Sequence, residues 1–279
     1  MRLGAPVLAD VADPASWAAE LRRLGYRAAY CPIGAEAPDD EVRAYAEAAR
    51  SADVVIAEVG AWSNLISVDD DERRAAIRFN QQQLALADRI GARCSVNFAG
   101  SRSTISRSAP DPENLSADTF ALIVDTVREI VDAVEPAHAC FTLELMPWAF
   151  PDSADSYVEL LRAVERERFA VHLDPVNIIC SPRSYFGSAD VVRECVAKLG
   201  PWIKSCHVKD TLLHRQFMTH IDECAPGLGT LDHGVLLREL DGLGDPDLPL
   251  MMEHLTTQPE YDAAAAHLRG VAQAVGVAL

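Results

Sequence analysis

Residues 202–211, WIKSCHVKDT, decide how the rest of the chain is read. The stretch opens apolar, with Trp202 and Ile203 leading, and closes on His207, Lys209 and Asp210, three side chains able to do chemistry. A strand buried at its start and polar at its C-terminal end suits a parallel β/α barrel, where function collects at that rim. A single histidine near a strand end is more often a satisfied structural group than a ligand. Its meaning therefore depends on whether other strands bring matching side chains to the same rim.

Strand patterns run over residues 2–9, 26–33, 54–59, 93–98, 139–146, 169–174, 202–208 and 248–253. Helical patterns follow at 14–24, 39–51, 70–90, 116–134, 153–166, 188–199, 232–240 and 259–275. Asp13 and Ser116 read as N-caps, Pro14 as a first-turn residue, and Gly25 and Gly91 as stops. A loop over 211–229 leads to the seventh helix, and the loop over 99–115 is long, polar and rich in Ser and Pro. A loop of the latter kind in a compact domain is more often an active-site wall than idle chain. Eight strand-then-helix units without a linker-like break predict one α/β domain over 1–279, a single (β/α)8 TIM barrel. A doubly wound open sheet is the alternative. No G-x-G-x-x-G follows the first strand and no Walker-type loop is present, so a nucleotide cofactor has no support.

Composition narrows the function classes. The 279 residues are 49% hydrophobic and only 6% aromatic, which fits helices packed closely on a parallel sheet. A formal net charge of −17 argues against nucleic acid and anionic membrane surfaces as partners. The seven cysteines are scattered, odd in number and without a C-x-x-C pair, so they read as reduced, small apolar residues. The first residues lack the apolar run of a signal peptide, and no stretch reaches membrane-spanning length. A soluble protein of a reducing cytoplasm is expected; a homo-oligomer stays open.

The last four strands carry the chemistry. CFTLELMPW brings Glu144 in an otherwise apolar run, and FAVHLDPVN ends in Asp174 with His172 two before it and Asn177 three after. His207 comes from the opening stretch, and LPLMMEH ends in Glu253 and His254. A carboxylate in a buried strand is costly unless it is paired or bound to a cation. One could be a structural pair; four consecutive strands each ending in a ligand type point to a metal. Glu144, Asp174, His207 and Glu253 form an oxygen-rich set that suits one divalent ion, Mn²⁺ best, then Mg²⁺ or Co²⁺, with Zn²⁺ less suited.

The Glu on the fifth strand, D-P-x-N on the sixth, H-x-K-D on the seventh, the P-G-x-G turn Pro226–Gly229 and the Glu on the eighth resemble the xylose isomerase-like TIM barrel family. That family includes sugar-phosphate isomerases and epimerases and ketose 3-epimerases. The resemblance covers nearly the whole chain in strand order, with its informative motifs in the second half. It implies a metal-dependent sugar isomerase or epimerase in which Glu144 and Glu253 both bind the ion and move the proton. The ion would stabilise an enediolate formed when a carbon acid next to a carbonyl loses its proton. One Glu removes the proton and the other returns it on the opposite face. Many ketose epimerases carry a His where Asn177 stands; the pentulose-phosphate epimerase branch carries Asn there and H-x-K-D-T, like His207–Thr211.

No strong phosphate cradle is visible: Arg102, Arg107, Arg183 and Arg215 read singly as solvated charges, and only Lys209 sits inside the motif. Lys209 is expected as a substrate contact or auxiliary acid. Trp62, Trp148 and Tyr185 could grip a sugar ring, Asn97 and Asn177 could bind hydroxyls, and His172 could donate from below. His220 and Asp222 could hold a second ion or substrate, though a surface role is the plainer reading. The expected partner is a small sugar or polyol-derived ketone.

Three other functions compete. A dehydratase or lyase acting on an inosose, keto-sugar or C-glycoside would form the same enolate and expel a β-leaving group, with Lys209 or His172 as acid. An apurinic endonuclease shares the barrel but needs further His ligands on earlier strands, which here end around Cys31, Glu58 and Asn97. A barrel that merely binds sugar is the non-enzymatic option.

Overall fold

Two-residue alternation along each strand sorts side chains between the barrel interior and the helical shell. In β7 (Ile203–Val208), Cys206 and Val208 turn outward into the main hydrophobic cluster, while Ser205 and His207 turn inward. The same alternation runs through β5 (Cys140–Glu144) and β6 (Phe169–Leu173), whose Phe141, Leu143, Val171 and Leu173 face the shell. The computed structural model describes all 279 residues.

The remaining barrel strands are β1 (Arg2–Gly4), β2 (Ala28–Tyr30), β3 (Val55–Gly60), β4 (Cys94–Asn97) and β10 (Pro249–Met252). They close in the order β1-β10-β7-β6-β5-β4-β3-β2, with every neighbouring pair parallel. This is the expected (β/α)8 barrel. Around it lie α1 (Pro14–Leu24), α2 (Asp39–Ser51), α3 (Asp70–Ile90), α4 (Ala117–Val134), α5 (Ala154–Val164), α6 (Pro182–Phe186), α7 (Ser188–Leu199), α8 (His233–Asp241) and α9 (Gln258–Val275). The Asp13 side chain accepts from Ser16 N–H and Ser116 from Thr119 N–H, so both caps act as expected. Gly25 and Gly91 end their helices at positive φ.

The core has two parts. A cluster of 63 buried residues fills the space between sheet and helices. Inside the barrel most side chains are small: Ala28 and Ala57 pack around the longer Met251 in one cluster, and Cys94, Cys140 and Ala170 form another. Gly4 belongs to this tight interior, since a Cβ there would lie 2.3 Å from Ala28 O. Small residues at this level leave room for a polar layer above them.

Several expectations change. β1 and β2 are three residues each rather than eight, because the chain leaves the barrel where its apolar alternation meets Pro and Gly. Trp202 lies in a 3-10 turn before β7 and is 41% exposed, so it does not lead the strand into the core. The short helix α6 is added before α7.

The connection over 211–229 is not a plain loop: β8 (Asp210–Leu213) and β9 (Ile221–Cys224) pair antiparallel as a hairpin. Asp210, expected to do chemistry, fastens this hairpin instead. Its carboxylate accepts N–H groups from Thr211, Gly227, Gly229 and Leu231 at 2.8–3.0 Å. Gly229 lets the turn close, since a Cβ would meet Thr211 O at 2.2 Å. Asp210→Ala leaves four N–H groups without an acceptor and is expected to cost about 3 kcal/mol. Faster proteolysis at residues 214–219 would mark the opened hairpin; unchanged melting and cleavage would contradict the role.

No helix is long and apolar enough to cross a membrane. All seven cysteines are unpaired.

Candidate metal and active site

The C-terminal rim receives one ligand type from each of four neighbouring strands. Glu144 closes β5, Asp174 follows β6, His207 lies near the end of β7, and Glu253 follows β10. Their ligand atoms all lie within 4.8 Å of one another. His207 Nδ1 stands 3.1 Å from Glu144 Oε1, 3.0 Å from Glu253 Oε1 and 3.8 Å from Asp174 Oδ2. Period two explains the convergence: Glu144, Asp174 and His207 share the inward face of their strands with Thr142, His172 and Ser205.

A side chain not counted among the ligands orients the imidazole. Glu58, on β3 and 1% exposed, places Oε1 3.0 Å from His207 Nε2. Its Oε2 accepts from Ser205 Oγ at 3.3 Å and lies 3.1 Å from His172 Nδ1. Donating Nε2–H to a carboxylate directs the other ring nitrogen, Nδ1, at the three rim carboxylates, the arrangement by which a ligand histidine is usually held. Burial alone would raise the Glu58 pKa, but the two imidazoles outweigh it and hold it at about 2.

Lys209 is the local counter-charge. It is buried, with Nζ 2.8 Å from Asp174 Oδ2, 2.7 Å from Glu253 Oε1 and 3.1 Å from Glu223 Oε2. These contacts attract, yet Asp174 Oδ2 and Glu253 Oε1 have no aligned hydrogen-bond donor. Burial pushes the Asp174 carboxyl up to about 7 against the pull of Lys209. For Glu144 and Glu253 burial also opposes ionisation, and His207 with Lys209 more than offsets it, so both are lowered. Burial would lower the His207 pKa, but Glu253 and Glu58 raise it well above its ordinary value.

Two buried carboxylates and a third mostly buried one around one imidazole, two of the three with an oxygen lacking a donor, fit a divalent cation. A ligand histidine must give up the proton that faces the ion. Loading with Mn²⁺ at pH 7 is therefore expected to release about one to two protons per ion, one from His207 and a fraction from Asp174, whose carboxyl is held near its midpoint there by burial. Calorimetry in buffers of different ionisation enthalpy reads this directly; heat independent of buffer would contradict a protonated His207.

Beside the candidate ligands, on the loops after β5 and β6 and on the β8–β9 hairpin, is a cavity of about 510 Å³ lined by Trp148, Asn177, Thr219, His220, Asp222 and Glu223, among others. None of the four candidate ligands lines it, but Asn177 and Glu223 both reach Lys209. Asn177 also donates to Leu145 O at 3.1 Å and accepts from Lys209 at 3.4 Å, so it ties the fifth and sixth loops to the lysine. The other four expected contacts do not line this cavity. His172 is wholly buried beneath His207, ring centroids 4.0 Å apart, with Nδ1 3.1 Å from Glu58 Oε2. Asn97 is also buried, its amide committed to Ser63, Asn80 and Phe98. Trp62 stacks on Phe98 at 6.1 Å. Tyr185 packs edge-on to Phe186 beside a separate concavity with Leu212 and His214. A larger concavity of about 1390 Å³ opens near the N-terminal ends of β4–β7 and gathers none of the four ligands.

Two further residues border the site. Glu223, from β9, holds both Lys209 and His254, whose Nδ1 is 2.9 Å away. His254 takes φ 60°, a left-handed conformation rare for a non-glycine residue and more common at functional sites. It directly follows Glu253, so this bend sets where the ligand strand ends.

The chain belongs to the xylose isomerase-like TIM barrel family, whose model matches residues 18–271. No curated protein is detectably similar in sequence. Among solved structures the chain is similar to D-psicose 3-epimerase from Clostridium cellulolyticum H10, solved with D-tagatose (TM-score 0.72, 16% identity, 100% of each chain). It is also similar to a xylose isomerase-like TIM barrel protein from Mycobacterium smegmatis in complex with magnesium (TM-score 0.69, 16% identity, 98% of this chain and 96% of that one). A third is the probable 3-DHS dehydratase AsbF from Bacillus anthracis (TM-score 0.69, 16% identity, 96% of this chain and 98% of that one). At such identities the likeness speaks for the fold alone.

Proposed function

We propose that the chain is a divalent-metal-dependent sugar isomerase or epimerase that works by removing a proton next to a carbonyl. The observation that carries this reading is the convergence of Glu144, Asp174, His207 and Glu253 within 4.8 Å at the functional rim of the barrel. When bound there, a divalent ion supplies Lewis-acid polarisation of the carbonyl and so eases loss of the neighbouring proton. The donor set favours Mn²⁺, with Mg²⁺ and Co²⁺ next.

The chain's own groups supply the rest. Glu144 closes β5 and Glu253 follows β10, so the two carboxylates reach the shared cluster from separate strands. One accepts the carbon-bound proton and the other returns it on the opposite face. Glu58 keeps the His207 Nε2–H occupied, and Asn177 with Glu223 holds Lys209 at the ligand edge. Trp148 offers an apolar wall for a sugar ring.

The substrate is a small, uncharged sugar or polyol-derived ketone. No arginine or lysine lines the cavity. Arg102 is committed to Ile66 O and Ser67 O, and Arg107 to Trp62 O. A dehydratase or lyase outcome is the second reading, favoured by Lys209 Nζ lying 2.7 Å from Glu253, where an acid for a leaving group would stand. The acidic rim and the net charge of −17 give an endonuclease no support. Seven unpaired cysteines fit a reducing, cytoplasmic setting.

The experiment is solvent exchange. Mn²⁺-loaded protein in D₂O is offered ketoses, inososes and keto-glycosides beside ketose phosphates. Deuterium uptake next to the carbonyl with a new stereoisomer or isomer supports this reading, and an unsaturated product supports the lyase. Exchange confined to phosphate esters would overturn the uncharged substrate, and no exchange with any compound would overturn the carbon-acid chemistry.

A further inference from the structure

His214, His220 and Asp222 bring ligand atoms within 4.8 Å of one another at the tip of the β8–β9 hairpin, where His220 and Asp222 also line the edge of the 510 Å³ cavity. The register pairs Leu213 with Ile221 and Leu212 with Asp222. His214 N–H donates to His220 O at 2.9 Å, so the ladder continues one step past the strands. Alternation then sets Leu212, His214, His220 and Asp222 on one face. The two imidazole centroids are 4.9 Å apart at 76°.

Both rings present the same nitrogen to the same carboxylate. His214 Nε2 lies 2.7 Å from Asp222 Oδ2, and His220 Nε2 lies 2.8 Å from Oδ1. Exposed pairs of this kind contribute little to stability, so holding three side chains in one geometry has little return as an ion pair alone. As a ligand set it is complete. Two imidazoles and one carboxylate on a paired backbone leave a fourth position for water, a donor set suited to Zn²⁺, Co²⁺ or Ni²⁺ rather than to Mg²⁺ or Ca²⁺. Side-chain exposures of 35%, 52% and 50% leave an entry path.

We infer that His214, His220 and Asp222 form a second metal site, on the hairpin, for an imidazole-preferring transition ion such as Zn²⁺. It differs in chemistry from the oxygen-rich set inside the barrel and does not depend on the reaction proposed for that set. It also has a mechanical consequence. Glu223 follows Asp222, turns to the other face of β9, and reaches Lys209 and His254. An ion that ties β8 to β9 fixes the strand that positions Glu223 at the barrel mouth.

The test is Zn²⁺ stoichiometry by elemental analysis after equilibrium dialysis, on four folded proteins. Wild type is expected to retain about two equivalents, His214→Ala/His220→Ala about one, His207→Ala about one, and the triple variant none. Co²⁺ loaded into His207→Ala should give the visible absorption of a four-coordinate ion, lost on adding the hairpin substitutions. Equal Zn²⁺ in wild type and the hairpin variant, or no Co²⁺ spectrum from the hairpin, overturns the inference. Should His207→Ala bind as much as wild type while the hairpin variant loses one equivalent, the hairpin site stands and the barrel site falls.

Discussion

Replacing Glu144 by Gln is expected to slow interconversion of substrate stereoisomers by about 10²- to 10⁴-fold at saturating Mn²⁺, the range for a lost general acid or base. The substitution keeps the side chain's shape and one oxygen ligand but removes the basic site. Saturating metal separates the proton-transfer loss from weaker ion binding. Two separate carboxylates give the variant a further signature. If Glu144 serves one face and Glu253 the other, each Gln variant still exchanges deuterium into one epimer while failing to convert it. Loss of exchange into both epimers in either single variant would point to one carboxylate doing both jobs. Unchanged conversion in both would remove them from the chemistry.

Glu58→Gln is expected to weaken Mn²⁺ binding by about 10- to 100-fold, the cost typical of losing a partner that orients a ligand. Glu58 touches no expected substrate position; it lies under His207, with Nε2 3.0 Å away. The neutral amide can accept the same N–H, but it brings an NH₂ group beside His172 and no longer offsets positive charge on the rings. His207 then loses the bias that points its lone pair to the rim. Chelator competition for Mn²⁺ reads the affinity, and circular dichroism checks folding. An affinity equal to wild type in a folded Glu58→Gln protein would contradict the role of Glu58.

Much of this was legible in the residues. The strand-then-helix alternation gave the barrel because parallel pairing leaves a near-continuous apolar run in each strand, and the caps Asp13, Ser116, Gly25 and Gly91 marked the helix ends. The four candidate ligands stood out because Glu144, Asp174 and Glu253 interrupt or end such runs, where a charge is costly. By the same rule Glu58, alone in VVIAEVG near the end of its strand, is equally conspicuous. The ligand set is drawn from the last four strands, where the motifs lie, and Glu58 belongs to the third.

The β8–β9 hairpin was illegible for a different reason. Its tip, HRQFMTH, has no Asn-Gly or Gly pair to mark a turn, and its two strands pair only with each other. Asp210 reads as a chemical group from its place in H-x-K-D, and only the return of the P-G-x-G turn to its carboxylate reveals it as an anchor. Asn97 reads as a hydroxyl contact because sequence gives the strand a residue belongs to, not whether its amide is already taken, here by Ser63, Asn80 and Phe98.

The most direct measurement is an anomalous-difference map from a crystal of the protein loaded with Mn²⁺. Expected is a peak bounded by Glu144, Asp174, His207 and Glu253, with Lys209 Nζ moved off the shared oxygens of Asp174 and Glu253. A well-ordered barrel with no Mn²⁺ peak among those four side chains would contradict the metal centre and the carbon-acid chemistry built on it.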